Sequence, residues 1–220
     1  MVPISILPAF REKWPSMKLA CLECDVNVEK LNEKLWEKIN ELSAELRISK
    51  KIEDISKTPS IAASRKGYKA LGKDPARYRL SAEALMRRVI KGESLYQINN
   101  VVDIVNLASV TSGFSIGGYD VSCIDGEVEL GIGSENEPYE GIGRGELNIE
   151  FLTVLRDKHG AFGSPTSDSL RTSVTKKTQR FLMVYFAYGA HSELNNALDL
   201  SEKLLCNFAA AKNIERYTIE

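Results

Sequence analysis

Gly160 to Thr175, GAFGSPTSDSLRTSVT, carries the densest set of side chains able to do chemistry. Glycine and proline let the backbone turn tightly and approach a ligand closely. Ser164, Thr166, Ser167 and Ser169 offer hydroxyls, Asp168 a carboxylate and Arg171 a guanidinium that can clamp an anionic oxygen. A sugar hydroxyl, a phosphate or an α-amino group would suit such a loop. The competing reading is a self-bonded polar turn, in which the serines and Asp168 satisfy nearby backbone groups.

The second segment is Tyr96 to Asp120, YQINNVVDIVNLASVTSGFSIGGYD. Asn100 can cap a helix, with Asp103 in its first turn favouring the positive end of the dipole. Val101, Val102, Ile104, Val105 and Ala108 give one buried face, and Gly113 closes it as a left-handed cap would. The valines leave a strand possible.

Other motifs exclude whole classes of chemistry. No phosphate-binding G-x-x-x-x-G-K-[ST] occurs, and Gly131-Ile132-Gly133 and Gly141-Ile142-Gly143 lack a dinucleotide register, so NTPase and Rossmann readings are rejected. Cys21-x-x-Cys24 is a lone pair short of zinc ligands; structural cysteines, and neither metal nor cofactor, are expected. His159 lies four residues before the polar loop as a candidate general base, and His191 reads as a helix-cap residue.

Charge is segregated. The net charge is -1, with 43% apolar and 27% charged residues, an ordinary globular balance without a nucleic-acid signature overall. Yet Ser64–Lys91 holds nine basic residues against Asp74 and Glu83, a local +7, while Asp120–Glu150 holds nine acids against Arg144, a local −8. Arg65, Lys69, Arg77, Arg79, Arg87 and Arg88 are therefore candidate phosphate contacts, with Arg171, Lys176, Lys177 and Arg180 as a second basic group. Mutual neutralisation of the two blocks within the fold is the alternative. No apolar run reaches the roughly 18 residues of a membrane span, nothing resembles a signal peptide, and a cytoplasmic setting with reduced thiols is expected.

The elements that position these groups follow from periodicity. A strand is expected at Lys18–Val26. A helix capped by Asn27 follows over Val28–Arg47, with Leu31, Leu35, Ile39, Leu42 and Leu46 as its stripe. Further helices are expected at Ile61–Leu71, at Ala82–Lys91 behind a Ser81 cap, and from a Ser192 cap to Lys212. Asp125-Gly126 signals a hairpin between Val121–Ile124 and Glu127–Ile132. Glu135–Gly145 reads as a loop, Phe151–Leu155 as a strand and Phe181–Tyr188 as a central buried strand. The whole is expected to be one α+β domain, with a mixed, largely antiparallel sheet and flanking helices. Its parts are an N-terminal strand–helix extension at 1–60, a core at 61–180 and a completing strand and helix at 181–220.

Ser81–Arg88 (SAEALMRR), Asn99–Asn106 (NNVVDIVN), Gly118–Asp120 (GYD) and Gly160–Thr172 together resemble the editing, or tRNA-binding, domain of the phenylalanyl-tRNA synthetase beta subunit. The resemblance runs from about Arg65 to Thr178 and is closest to free-standing proteins carrying this domain alone. It implies hydrolysis in trans of tyrosine wrongly attached to the phenylalanine tRNA. A pocket built for an apolar side chain rejects an added hydroxyl only on the order of a hundredfold, so a second site must select against it.

By resemblance, Ser167, Asp168 and Arg171 are the catalytic candidates, and Asn99, Asn100, Asp103, Tyr119, Asp120, Ser164 and Thr166 the substrate-binding ones. The asparagine-led helix and the glycine-rich loop are expected to border one pocket. The chain departs from the family at two polar positions, with Gly117 where the family has a histidine and Pro165 where it has a glutamate. Two outcomes stay open: altered hydrolysis by the serine-rich loop, or binding without hydrolysis. The implied partner is tRNA or its aminoacylated end. A module for a free amino acid or other small metabolite, with no RNA, is the alternative; no membrane partner is expected, and oligomeric state is left open.

Overall fold

The computed structural model describes residues 1–220. In chain order, β1 (Ile4–Ile6), α1 (Pro8–Lys13), β2 (Lys18–Asp25), α2 (Glu33–Ser49), α3 (Pro59–Leu71), α4 (Ser81–Ile90) and α5 (Asn100–Ser112) precede β3 (Ser115–Asp120). Then come β4 (Val128–Ile132), β5 (Glu140–Gly141), β6 (Gly145–Glu146), β7 (Thr153–Asp157), β8 (Gly160–Gly163), β9 (Arg180–Ala187), α6 (His191–Ala209) and β10 (Lys212–Ile219). One sheet runs β1-β4-β7-β8 and another β10-β2-β9-β3, with β5–β6 a separate ribbon. All pairs are antiparallel except β1 with β4, so the architecture is α+β and mixed.

FLMVYFAY is the central buried strand its composition demands. Residues 181–187 of β9 are buried between β2 and β3. A strand covered on both faces has no polar side to alternate. Tyr185 points to one face, where its hydroxyl donates to Ala197 O on α6 at 3.0 Å. Tyr188 points to the other, toward Thr153 on β7. The second sheet thus lies between a helical layer containing α5 and α6 and the first sheet.

Several boundaries depart from the sequence reading. α2 starts at Glu33, and its cap is Asn32, whose Oδ1 accepts from Leu35 N at 3.1 Å. Asn99, not Asn100, caps α5; Gly113 closes it at φ 74°. Ser81 is the first residue of α4 and Leu80 its cap, and the Ser81 N–H is held by Pro165 O at 2.8 Å. α6 begins at His191 behind Ala190, so Ser192 is inside the helix. No hairpin forms at Asp125-Gly126: Val121–Cys123 is a 3-10 turn, and β4 pairs with β1 and β7. The segment Glu135–Gly145 holds most of the short ribbon β5–β6, which closes at Glu146, and β1, α1 and β10 are further elements beyond those periodicity marks.

Cys21 and Cys24 both lie inside β2, whose central residues are buried on both faces rather than alternately. Burial pushes both thiols up, Cys24 to about 12, as expected of structural rather than reactive cysteines.

Candidate functional site

The serine-rich loop leaves β8 at Gly163 and is tied down by three tyrosines from separate parts of the chain. Tyr119 Oη, on β3, donates to Asp168 Oδ1 at 2.8 Å, and the Gly118 N–H reaches Oδ2 at 3.4 Å. Tyr68 Oη, on α3, bonds Thr166 Oγ1 at 2.9 Å, and Tyr139 Oη donates to Ser167 O at 2.6 Å. Ser164 Oγ donates to Ser167 O at 2.8 Å and accepts from Ser167 N at 3.1 Å. The turn is self-bonded through Ser164 and Ser167, although its main anchors are distant tyrosines.

Tyr119 has room because two neighbours lack side chains. A Cβ at Gly117 would sit 1.9 Å from Tyr119 Oη, and one at Gly163 would sit 2.2 Å away. Burial pushes Asp168 up to about 7, against the opposing effect of the Tyr119 and Gly118 hydrogen bonds. Burial, and then the nearby Asp168 charge, raise the Tyr119 phenol well above its ordinary value.

Ser167 and Asp168 share the tyrosine-anchored turn, but Arg171 makes no hydrogen bond to either. Arg171 instead grips Asp157 with two bonds of 2.9 and 2.8 Å, and also donates to Cys123 O at 3.1 Å and Gly160 O at 3.2 Å. Burial opposes the Asp157 charge, but bonds from Arg171, the Asp125 N–H and the His159 N–H outweigh it and hold the carboxyl below its usual range. His159 is exposed and sits 3.1 Å from Asp125.

The paired asparagines also serve other ends. Asn99 Oδ1 caps Val102 N at 2.9 Å, and its Nδ2 donates to Val174 O at 3.4 Å. Asn100 accepts from Glu29 N at 2.8 Å and donates to Asn27 O at 2.9 Å and Phe208 O at 2.7 Å. Asp103 accepts from Trp36 Nε1 at 2.8 Å and Ile98 N at 3.0 Å; burial raises its pKa. Asp120 accepts from Ser122 N at 2.9 Å and Thr178 Oγ1 at 2.6 Å.

Strand alternation sets Asn100 and Asp103 on one side of β3 and the Ser164–Asp168 turn on the other. Successive side chains of β3 point to opposite faces. Position 118 faces Val105 on α5, whereas Tyr119 packs edge-on against Phe162, with ring centroids 5.1 Å apart. Asn100 joins Asn27, Glu29 and Phe208 to α5 and Asp103 joins α2 to it on the helical side, and Ser164–Asp168 lies across the sheet. The head of α5 and the 160–175 segment meet at Asn99, which donates to Val174 O at 3.4 Å.

The basic residues do gather. Glu83 on α4 is 1% exposed and receives Arg65 at 2.8 Å, Arg87 at 3.1 Å and Arg79 at 3.9 Å. One carboxylate against three guanidinium groups leaves an excess of two positive charges, with Arg79 nearly half exposed. Lys69 and Arg77 are exposed close by in the chain, and Arg88 pairs with Glu93 at 2.8 Å. The ion pairs of this block run to Glu83 and Glu93 rather than to the acidic block, so mutual neutralisation does not occur through direct contacts. Arg180 is spent on Glu23, Asp25 and Glu215.

The face adjoins the loop. Tyr68 and Arg65 share α3, and Ser81, two residues before Glu83, is bonded to Pro165. A different open groove of about 1040 Å³ lies between the β5–β6 ribbon and β8, lined by Tyr139, Glu140, Glu146, His159, Ser169 and Arg171 among others. Sequence reasoning missed it, because a ribbon overhanging a strand leaves no local periodic signal.

Comparison with known proteins places these features in a family. The B3/4 domain matches residues 63–203. The structure is similar to an N-terminal fragment of the phenylalanyl-tRNA synthetase beta subunit from Pyrococcus horikoshii, at 13% identity and a TM-score of 0.49, covering 99% of this chain and 50% of that one. The chain therefore spans about half the length of that solved fragment. Comparison with curated proteins yields no match. The family match covers the basic helices, the asparagine-led helix and the serine-rich loop together, and the chain belongs to the B3/4 domain family, the phenylalanyl-tRNA synthetase beta-subunit type of domain that those segments resemble.

Proposed function

We propose that this protein binds the phosphate backbone of RNA, and of tRNA in particular, on the face formed by α3, α4 and the turn between them. The observation that carries this reading is the convergence of Arg65, Arg79 and Arg87 on the buried Glu83 carboxylate. The carboxylate pre-orders three guanidinium groups but neutralises only one, so an anionic ligand meets fixed forks at a low ordering cost. Lys69, Arg77 and Arg88 extend the face, and the loop Ser164–Asp168 lies at its border, where an acceptor end would arrive. Membership of the B3/4 family supports tRNA over other RNA.

Fluorescence anisotropy with a labelled tRNA tests the reading. Neutralising five phosphates of a single-stranded end gives a slope of about −3.5 in log K against log salt. Reversing the exposed pair, Lys69→Glu with Arg77→Glu, should weaken binding and flatten the slope by about 1.4. Salt-independent binding, or no change in the double variant, would refute it.

Hydrolysis of mischarged aminoacyl-tRNA in trans is a second reading, favoured by the placement of Asp168 in the loop that Ser81 N–H ties to the cationic face through Pro165 O, with burial pushing its carboxyl up to about 7. Deacylation of tyrosyl and other mischarged tRNAs by the wild type and by Asp168→Asn decides it. Turnover lost in Asp168→Asn supports hydrolysis; no wild-type turnover restricts the protein to binding. Stabilisation by free amino acids in a thermal-shift screen, without RNA affinity, would favour a metabolite-binding module instead.

A further inference from the structure

Phe151 is a large aromatic side chain left 43% exposed, on a backbone that phenylalanine disfavours, at φ 60°. The left-handed region suits glycine or asparagine; a bulky residue there is a strained outlier that persists only where its surroundings impose it. Those surroundings are visible. Phe151 N donates to Gly133 O at 2.9 Å, Gly133 N to Leu152 O at 2.7 Å, and Leu152 N to Ile149 O at 2.8 Å. The turn presses so closely on Gly133 that a Cβ there would lie 1.8 Å from Ile149 O.

The clamped turn holds Phe151 over the end of α3. Its Cγ is 3.7 Å from the position a Cβ would take at Gly72, the residue that ends the helix. Lys73, the next residue, is buried and donates to the carbonyls of Glu150 and Asn148. The same Lys73 ammonium sits 3.7 Å from the centre of the Tyr78 ring, with the Arg77 guanidinium 5.7 Å from that ring. Lys73 thus ties the Phe151 turn to the segment bearing Arg77 and Arg79. An exposed aromatic group is thereby fixed rigidly at the border of a surface of unneutralised cations.

We infer that Phe151 is a stacking contact for an unpaired nucleobase, whose flanking phosphates are taken by Lys69 and Arg77. This inference rests on the RNA-binding reading above. A base offers an apolar face, and an aromatic ring beside cations is the arrangement that binds single strands with little sequence preference. A base-paired end exposes no such free face within the strand, so the contact selects an unpaired end. Backbone strain at position 151 is the cost of holding the ring outward.

The test uses the full chain, a labelled tRNA, and the same tRNA trimmed of its unpaired 3′ nucleotides. Phe151→Leu should weaken binding of the intact tRNA about five- to a hundredfold while keeping the salt slope, because stacking releases no counterions. Its affinity for the trimmed tRNA should match that of the wild type. Phe151→Trp should bind like the wild type and gain an emission component quenched on addition of intact tRNA, a readout independent of any stability change. Salt-dependent binding with Phe151→Leu equal to the wild type, or without quenching in Phe151→Trp, overturns this inference and leaves the RNA reading standing. Absence of wild-type binding at low salt overturns both.

Discussion

Tyr119 Oη and Asp168 Oδ1 are 2.8 Å apart across a gap walled by Gly117 and Gly163. The phenol fills the volume that side chains at 117 and 163 would otherwise claim, and Asp168 closes over it. This pairing makes the serine-rich loop part of the core. It also places the only carboxyl shifted to about 7 in the molecule where its protonation is coupled to folding.

The Asp168 contribution to stability should therefore fall with rising pH. The folded pKa of Asp168, about 7, lies above the ordinary 3.8, so the folded state binds the proton more tightly than the unfolded chain. The contribution is fully present below about pH 4 and is lost as pH climbs through 7. Urea unfolding of the wild type against Asp168→Asn, from pH 4 to 8, should show the difference between the two shifting in favour of the asparagine variant. Parallel curves would contradict it. Tyr119→Phe removes a hydrogen bond that lowers the Asp168 pKa, and should move the transition upward.

Gly163→Ala should destabilise the fold by about 1–3 kcal/mol, since the added methyl meets a Tyr119 ring that is wholly buried. Shortening the ring with Tyr119→Leu removes the clash, so the double variant should lose less than the sum of the two single losses. Chemical denaturation of the four-membered cycle measures the coupling, and simple additivity would show that the contact is not the cause.

Glu83→Gln leaves three guanidinium groups facing each other without a counter-charge. Because the arginines are partly exposed, the cost should be about 1–3 kcal/mol rather than that of a wholly buried pair. The loss should shrink in high salt, where the repulsion is screened. Thermal unfolding at 0.05 and at about 1 M salt compares these conditions; a salt-independent loss would mean that the carboxylate does not order the cluster.

Asn100→Ala removes bonds to the backbone of Glu29, Asn27 and Phe208 in a site with no exposure. The expected destabilisation is about 2–4 kcal/mol, from several buried groups left unpaired at once. RNA affinity of the folded fraction should stay at the wild-type value. A selective loss of affinity with unchanged stability would return Asn100 to the ligand site.

Local pattern was a good guide where one physical term dominates. The apolar run at Phe181–Tyr188 could only be buried, and Gly113 ends α5 because a glycine tolerates its positive φ. The run of arginines and lysines at 65–88 already implied a cationic face, since so many like charges cannot be internal. Cap positions shifted with their surroundings, as at α4, where Leu80 takes the cap position and Pro165 O accepts from the Ser81 N–H. The β10 strand left no clear signal, as its half-exposed residues pair with β2 from the far end of the chain.

Residue types by themselves determined that Asn99, Asn100, Asp103 and Asp168 would be polar groups needing partners, and that Arg65, Arg79 and Arg87 would carry charge. Only the tertiary structure decided which partners they have. The one-residue alternation of β3 sends position 118 to α5 and Tyr119 to the serine-rich loop, dividing between two faces what the chain writes side by side. A hydrogen bond or an ion pair is satisfied by whichever group lies within about 3 Å in space, and a linear pattern does not specify that distance.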